Sequence, residues 1–177
     1  MHHITRKHIL MACLPGAVLL IAGVIAGLAG VRFNITKSLP LGLWHITDQI
    51  GRGTYVTACV PPTAPMMQVA IERRYLPDGA CKGGYAPLLK RVVAVQGDIV
   101  TLTPDAVLVN GVALPNTATL AYRAIDPLPA VERGTYALGP GEFWLIANDD
   151  ARSFDSRYFG ALHRSDIAHG MKPLLVF

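Results

Sequence analysis

Asn34-Ile-Thr-Lys-Ser38-Leu-Pro40-Leu-Gly42-Leu-Trp44 follows a long apolar run and decides how the rest of the chain is read. Pro40 fixes its own φ and has no N–H to donate. Gly42 admits positive φ or the close approach of another backbone. Ser38 is therefore expected on a rigid turn entering a strand, where a peptide could reach it. By itself a Ser-Leu-Pro turn is an ordinary loop. Its meaning depends on what lies on either side.

Upstream, residues 1–8 form a short tail containing Arg6 and Lys7. Ile9 to Val31 then runs without a charge for about 23 positions, and a helix crosses a bilayer with roughly twenty. Its glycines and Pro15 are tolerated in such a helix. Gly27-Leu-Ala29 offers a small-residue cleavage site, so a removed signal peptide stays open as an alternative. The run exceeds the apolar core of a signal peptide, about 7–15 residues, which favours a retained anchor. The expected organisation is a tail at 1–8, a transmembrane anchor at 9–31 and one domain at 32–177. Arg32 and Lys37 balance Arg6 and Lys7, so flanking charge says little about orientation. The short tail favours the N-terminus inside. Ser38 would then lie about seven residues past the span, within roughly 25 Å of the membrane even if that linker were fully extended.

Downstream, turn residues dominate. Thirteen prolines and seventeen glycines in 177 residues favour a mainly β, antiparallel architecture over a helical bundle. Strands are expected at 41–46, 55–60, 88–95, 99–102, 136–138, 143–147 and 167–177. Met66 to Tyr75 reads as a short amphipathic helix with Pro65 at its first turn. Val107-Leu-Val109, Asn110-Gly111 and Val112-Ala-Leu114 spell a hairpin with an Asn-Gly turn. Asn116 to Arg133 carries no clear pattern.

Composition removes several function classes. The chain is 51% hydrophobic and 16% charged, with a net charge of +4. Its Lys and Arg do not gather into a stripe with interleaved aromatics, so no nucleic acid partner is expected. A modest basic excess beside an anchor suits anionic lipid heads. Among three cysteines, Cys13 lies in the apolar run, and no Cys/His spacing indicates a metal. Cys59 and Cys81 would pair in an oxidising compartment, closing a loop of about twenty residues. In a reducing one they would be two buried thiols. The histidines have no Ser/His/Asp context.

Two further stretches carry chemistry. Lys90 interrupts a strand otherwise made of Leu88, Leu89, Val92, Val93, Ala94 and Val95. It either reaches out to water or is desolvated. Desolvation lowers an amine's pKa, and a neutral amine can take a proton from a serine hydroxyl. Asn148-Asp-Asp150-Ala-Arg-Ser153-Phe-Asp155-Ser156-Arg157-Tyr-Phe159-Gly160 gathers hydroxyls, carboxylates and arginines into a turn between strands.

Together the three stretches resemble the signal peptidase I superfamily, whose members use a serine nucleophile and a lysine general base. Thr36-Lys-Ser38-Leu-Pro40-Leu-Gly42 matches the nucleophile box. Lys90-Arg91-Val92-Val93-Ala94-Val95-Gln96-Gly97-Asp98 matches the lysine box. Ser153-Phe-Asp155-Ser156-Arg157-Tyr158-Phe159-Gly160 matches the last box. Three boxes in the family's order are far more specific than one. The resemblance implies Ser38 and Lys90 as catalytic groups and the Ser38 N–H and Thr36 hydroxyl as oxyanion donors. It also implies Ser153 as a hydrogen-bond partner that orients Lys90, and an Asp155–Arg157 ion pair that holds the loop. No cofactor is expected.

Leu39 stands where general signal peptidases usually carry methionine, and the segment between the second and third boxes is shorter than in many of them. The compact chain with its Ser-Leu-Pro-Leu-Gly-Leu-Trp form is most similar to the TraF-type conjugative-transfer peptidases. That resemblance implies a monomeric serine endopeptidase in a bacterial inner membrane, its catalytic domain in the periplasm. Its substrate would be a membrane-embedded pilin precursor, in some relatives cyclised through its own N-terminus. In that group Asp155 is implied to act more directly. The alternatives are a general signal peptidase that removes secretory leaders and a catalytically silent scaffold of a pilus or secretion complex.

Overall fold

The computed structural model describes residues 6–118 and 130–177, without the side chains of residues 6–12 and Pro65. Most of the unpatterned stretch after Asn116, and the first residues of the tail, lie outside that description. The chain opens with helix α1 (Arg6–Leu28), which contains Pro15. Leu14, Leu19 and Leu28 on it are exposed, and so is the free thiol of Cys13. Among the described residues no helix is long and apolar enough to cross a membrane.

The segment between α1 and Ser38 is a strand rather than an extended linker. β1 (Val31–Asn34) pairs antiparallel with β2 (Gly42–Thr47), with Asn34 opposite Gly42. The sequence reading assigned Val31 to the apolar span and so missed this strand. The remaining elements are β3 (Tyr55–Ala58), α2 (Pro65–Glu72), β4 (Leu88–Val95), β5 (Ile99–Leu102), β6 (Val107–Val109) and β7 (Val112–Ala113), then β8 (Gly134–Ala137), β9 (Glu142–Ile146), α3 (Ser156–Phe159), β10 (Leu162–His163) and β11 (Ile167–Val176). A seven-stranded sheet runs β1-β2-β11-β3-β4-β9-β10, and a four-stranded sheet runs β7-β6-β5-β8. The described strand pairings are antiparallel.

Local chemistry accounts for several of these elements. Asn110 and Gly111 both take positive φ, 51° and 81°, the backbone that a two-residue hairpin of matching twist requires. Gly42 has φ 130°, and a Cβ there would fall 2.1 Å from the Leu175 carbonyl oxygen. Only glycine lets β2 and β11 approach so closely just after the Ser38 turn. α2 stops at Glu72, short of the expected Tyr75, where Arg74 turns to a φ of 53°. α3 is a single capped helical turn within the stretch expected as a turn between strands. The Asp155 carboxylate accepts the Arg157 N–H at its start.

Three apolar cores position the site. One packs Met67 of α2 against Val56, Val92 and Leu145 of the large sheet. A second fills the space between the two sheets with Val100, Val107, Trp144 and Ile146. The third gathers Leu39, Trp44, Leu89, Ala147 and Met171. Burying each large apolar side chain contributes about 1.5–3 kcal/mol. The third core therefore ties the turn carrying Ser38 to the strand carrying Lys90.

Candidate active site

Asn34, at the end of β1, organises the Ser38 turn. Its two Nδ2 protons serve the carbonyls of Thr36 (3.0 Å), Leu39 (3.1 Å) and Pro40 (3.0 Å), so one proton is shared between two acceptors. Its Oδ1 accepts the Thr36 backbone N–H at 3.1 Å and the Thr36 hydroxyl at 2.8 Å. The Trp44 indole also donates to the Pro40 carbonyl, at 3.3 Å. Leu39 is buried in the third core, so the turn is fixed by packing from one side and hydrogen bonds from the other. Nothing in the sequence assigns Asn34 a role. An Asn two residues ahead of a Thr is a common turn-former, and only the fold shows that one amide gathers three carbonyls.

Lys90 lies on β4 between β3 and β9, opposite Val56. With 4% of its surface exposed, it does not reach out to water. Its Nζ is 3.1 Å from Ser38 Oγ. A charged amine donates to that oxygen, whereas a neutral one accepts the hydroxyl proton across the same distance. Burial, the largest influence, pulls the Lys90 pKa down to about 8. Asp155 and Asp150 pull it up, and Arg157 pushes it down. A substantial neutral fraction therefore exists near neutral pH, the state a general base needs.

The third stretch braces this pair. Asp155 and Arg157 are fully buried and form a two-pronged ion pair, with both N···O distances at 2.8 Å. Arg157 also donates to the carbonyls of Ala118, Ala151 and Ser153. All five guanidinium N–H groups thus have acceptors, as a buried arginine requires. Asp155 further accepts the N–H of Ala147, which joins the loop to the end of β9. Ser156 Oγ accepts the Leu145 N–H.

Two expected contacts differ. Ser153 Oγ is buried without a hydrogen-bond partner, so the bond to Lys90 is absent in this structure. Thr36 is exposed, and its hydroxyl proton is engaged by Asn34 rather than facing an open oxyanion site. Asp155 makes no hydrogen bond to either Ser38 or Lys90. Its influence on Lys90 is electrostatic, because its oxygens are taken by Arg157 and by backbone N–H groups.

A cleft of about 550 Å³ opens on the large sheet, and neither Ser38 nor Lys90 is among the residues that line it. Its lining includes Asn34, Trp44, Thr57, Leu89, His169 and Met171, mostly apolar surface with a few polar groups. Leu89 is the residue before Lys90, and Asn34 holds the Ser38 turn. Cys59 also lines the cleft and is disulfide-bonded to Cys81, with Cα atoms 5.6 Å apart. Among the described residues, no group of three His, Cys, Asp or Glu side chains is placed to hold a metal.

The signal peptidase family, peptidase S26, matches residues 5–175. The chain belongs to that family. It is 42% identical over 163 residues to a plasmid transfer protein TraF of Escherichia coli, covering 91% of this chain and 90% of that one. It is 33% identical over 170 residues to the conjugal transfer protein TraF of Agrobacterium tumefaciens (strain 15955), covering 93% and 94% of the two chains. A signal peptidase I of Enterococcus faecalis V583 is 18% identical. That alignment covers 70% of this chain and 97% of the other, at a TM-score of 0.40. Membership in this peptidase family, together with relatives named for conjugal transfer, supports a conjugation-related peptidase.

Proposed function

We propose that this chain is a membrane-anchored serine endopeptidase that matures a conjugative pilin precursor with Ser38 as nucleophile and Lys90 as general base. The observation that carries the reading is the 3.1 Å contact between a buried amine of lowered pKa and a serine hydroxyl on a rigid turn. Neutral Lys90 takes the hydroxyl proton as Ser38 Oγ attacks the scissile carbonyl. As the tetrahedral intermediate collapses, the amide C–N bond breaks and Lys90 gives that proton to the leaving amine. The acyl-enzyme then passes to water or to an amine: Lys90 accepts the proton of whichever attacks, and as the acyl C–O bond to Ser38 breaks it returns that proton to Ser38 Oγ. The Ser38 N–H and the Thr36 hydroxyl would stabilise the oxyanion, the latter after turning away from Asn34. Removing one such donor costs about 3 kcal/mol in the transition state. Ser153 Oγ, unpartnered in the buried wall, would receive a hydrogen bond from charged Lys90.

The same proposal places α1 in the inner membrane and the β domain in the periplasm. What supports this placement is the uncharged run from Ile9 through the end of α1, with Leu14, Leu19 and Leu28 exposed on that helix, and a disulfide suited to an oxidising compartment. The substrate is then cut near its own membrane segment. The deciding experiment is co-expression with a candidate pilin, read by intact mass, for the wild type and for Ser38→Ala. Processing by the wild type alone supports the reading. Processing by Ser38→Ala overturns it, and cleavage of secretory leaders in place of the pilin would move the substrate to the general class.

A further inference from the structure

We propose that Asn34 is the positioning residue of the nucleophile turn, setting the attack geometry of Ser38 and the direction of the Thr36 hydroxyl without touching substrate atoms. This rests on the reading of Ser38 and Lys90 above and adds a residue to it. Ser38 sits between the two parts of the turn that Asn34 grips, Thr36 on one side and Leu39 with Pro40 on the other. One planar amide therefore spans both ends of the segment that carries the nucleophile. The amide is itself 7% exposed, and its position is fixed by the pairing of β1 with β2.

The chemistry is specific to an amide. Three carbonyl oxygens converge on Nδ2, so the group there must donate. Two Thr36 donors converge on Oδ1, so the group there must accept. A carboxylate of the same shape would set an acceptor against three carbonyls. An aliphatic side chain would leave all five polar groups without this partner. The Thr36 hydroxyl is held in reserve by the same amide. When an oxyanion draws that proton away, Oδ1 keeps the Thr36 N–H and the turn stays gripped.

The test compares wild type, Asn34→Ala, Asn34→Asp and Thr36→Val for kcat, KM, pH profile and melting temperature on a peptide substrate. Misplacing a reacting group by about 1 Å lowers rate on the order of 100-fold. Both Asn34 variants should lose about that factor in kcat while KM stays within about twofold and the pH midpoint does not move. In a Thr36→Val background the loss from Asn34→Ala should shrink, because part of the effect runs through that hydroxyl. Amide hydrogen exchange of the 35–41 segment should accelerate in both Asn34 variants, which reads the clamp independently of any substrate. Unchanged exchange there, or a rate loss that only follows the fraction of folded protein, overturns the proposal. A wild type that cleaves with Ser38 dependence while Asn34→Ala keeps full kcat sinks this inference alone. Activity that survives Ser38→Ala sinks the peptidase reading, leaving the exchange result to judge the clamp.

Discussion

Lys90 Nζ and Ser38 Oγ meet at 3.1 Å although 52 residues separate them in the chain. The meeting is made by the core of Leu39, Leu89, Trp44, Ala147 and Met171, which holds the turn against the strand. A base delivered in this way has a pKa set by its burial. With the amine titrating at about 8, roughly a tenth of it is neutral at pH 7. Activity should therefore climb about tenfold per pH unit up to roughly pH 8 and then level off. Lys90→Arg should be inactive at every pH, because a guanidinium stays charged. Ser38→Ala should lose on the order of 10⁴-fold or more while remaining folded. A flat pH profile from 6 to 9, or an active arginine variant, would remove Lys90 as the base.

The same burial carries a stability cost. Folded Lys90 releases its proton near pH 8, whereas the unfolded side chain holds its proton to about 10.5. Between those values the unfolded chain binds more protons, so stability rises with pH across the window. Below about pH 8 the full penalty is present, on the order of 3 kcal/mol. Lys90→Met should be more stable than the wild type at pH 7 by up to that amount, with the gap closing by about pH 10.5. Denaturant midpoints at the two pH values measure it, and an equal gap at both would contradict the assigned cause.

Asp155 should affect both stability and the base. Asp155→Asn leaves Arg157 fully buried beside a neutral amide, and breaking a buried pair from one side costs about 3–5 kcal/mol. Asp155 is also the largest influence that raises the Lys90 pKa. Its loss should move the rising limb of the pH profile to lower pH in whatever fraction stays folded. A limb that moves to higher pH would show that Asp155 does not act on Lys90 through its charge.

Much of this was legible in the sequence, for reasons that differ by element. β4 and β5 fall where expected because their apolar runs end in turn residues, and the Asn110-Gly111 hairpin is local chemistry. β1 was hidden because Val-Arg-Phe-Asn is too short to show alternation and abuts an apolar helix. β10, two residues long, has no pattern to read. Lys90 stands out as a charge in an apolar strand, but its depth follows from β4 lying in the middle of the large sheet between β3 and β9. Asn34 gave no signal, since its three carbonyl partners converge only once the turn has formed.

Cys59 and Cys81 stabilise the cleft as well as the fold. The bond closes 22 residues of chain, worth about 3 kcal/mol in loop entropy. It also fastens the loop that supplies Ala80, Ala86 and Pro87 to the cleft onto the residue just after β3, where Cys59 lines the same wall. The Cys59→Ala/Cys81→Ala variant should melt lower and show a raised KM, with kcat changed less because Ser38 and Lys90 are fixed elsewhere. Mass spectrometry of unreduced peptides should recover the Cys59–Cys81 link from exported protein. Free thiols in that material, or a kcat loss with KM unchanged, would count against this role.

The residue before the cut is the place where the cleft should select. Trp44, Leu89 and Met171 are nearly buried where they meet it, so their bulk leaves shallow recesses rather than deep ones. An extended peptide would gain affinity from backbone pairing and selectivity from those recesses. Ala, Gly or Ser just before the cut should be processed, and Phe there should be excluded by at least about 100-fold, a factor that a hydrophobic pocket can reach even for one methylene. A pilin precursor carrying each residue, co-expressed with the enzyme and read by intact mass, gives the comparison directly. A product lighter than the linear cleaved chain by one water would show that an amine resolved the acyl-enzyme, and a linear product would show hydrolysis. Efficient cleavage of the Phe precursor would mean that the recesses open on binding, and selectivity would then have to come from the membrane placement of the cut.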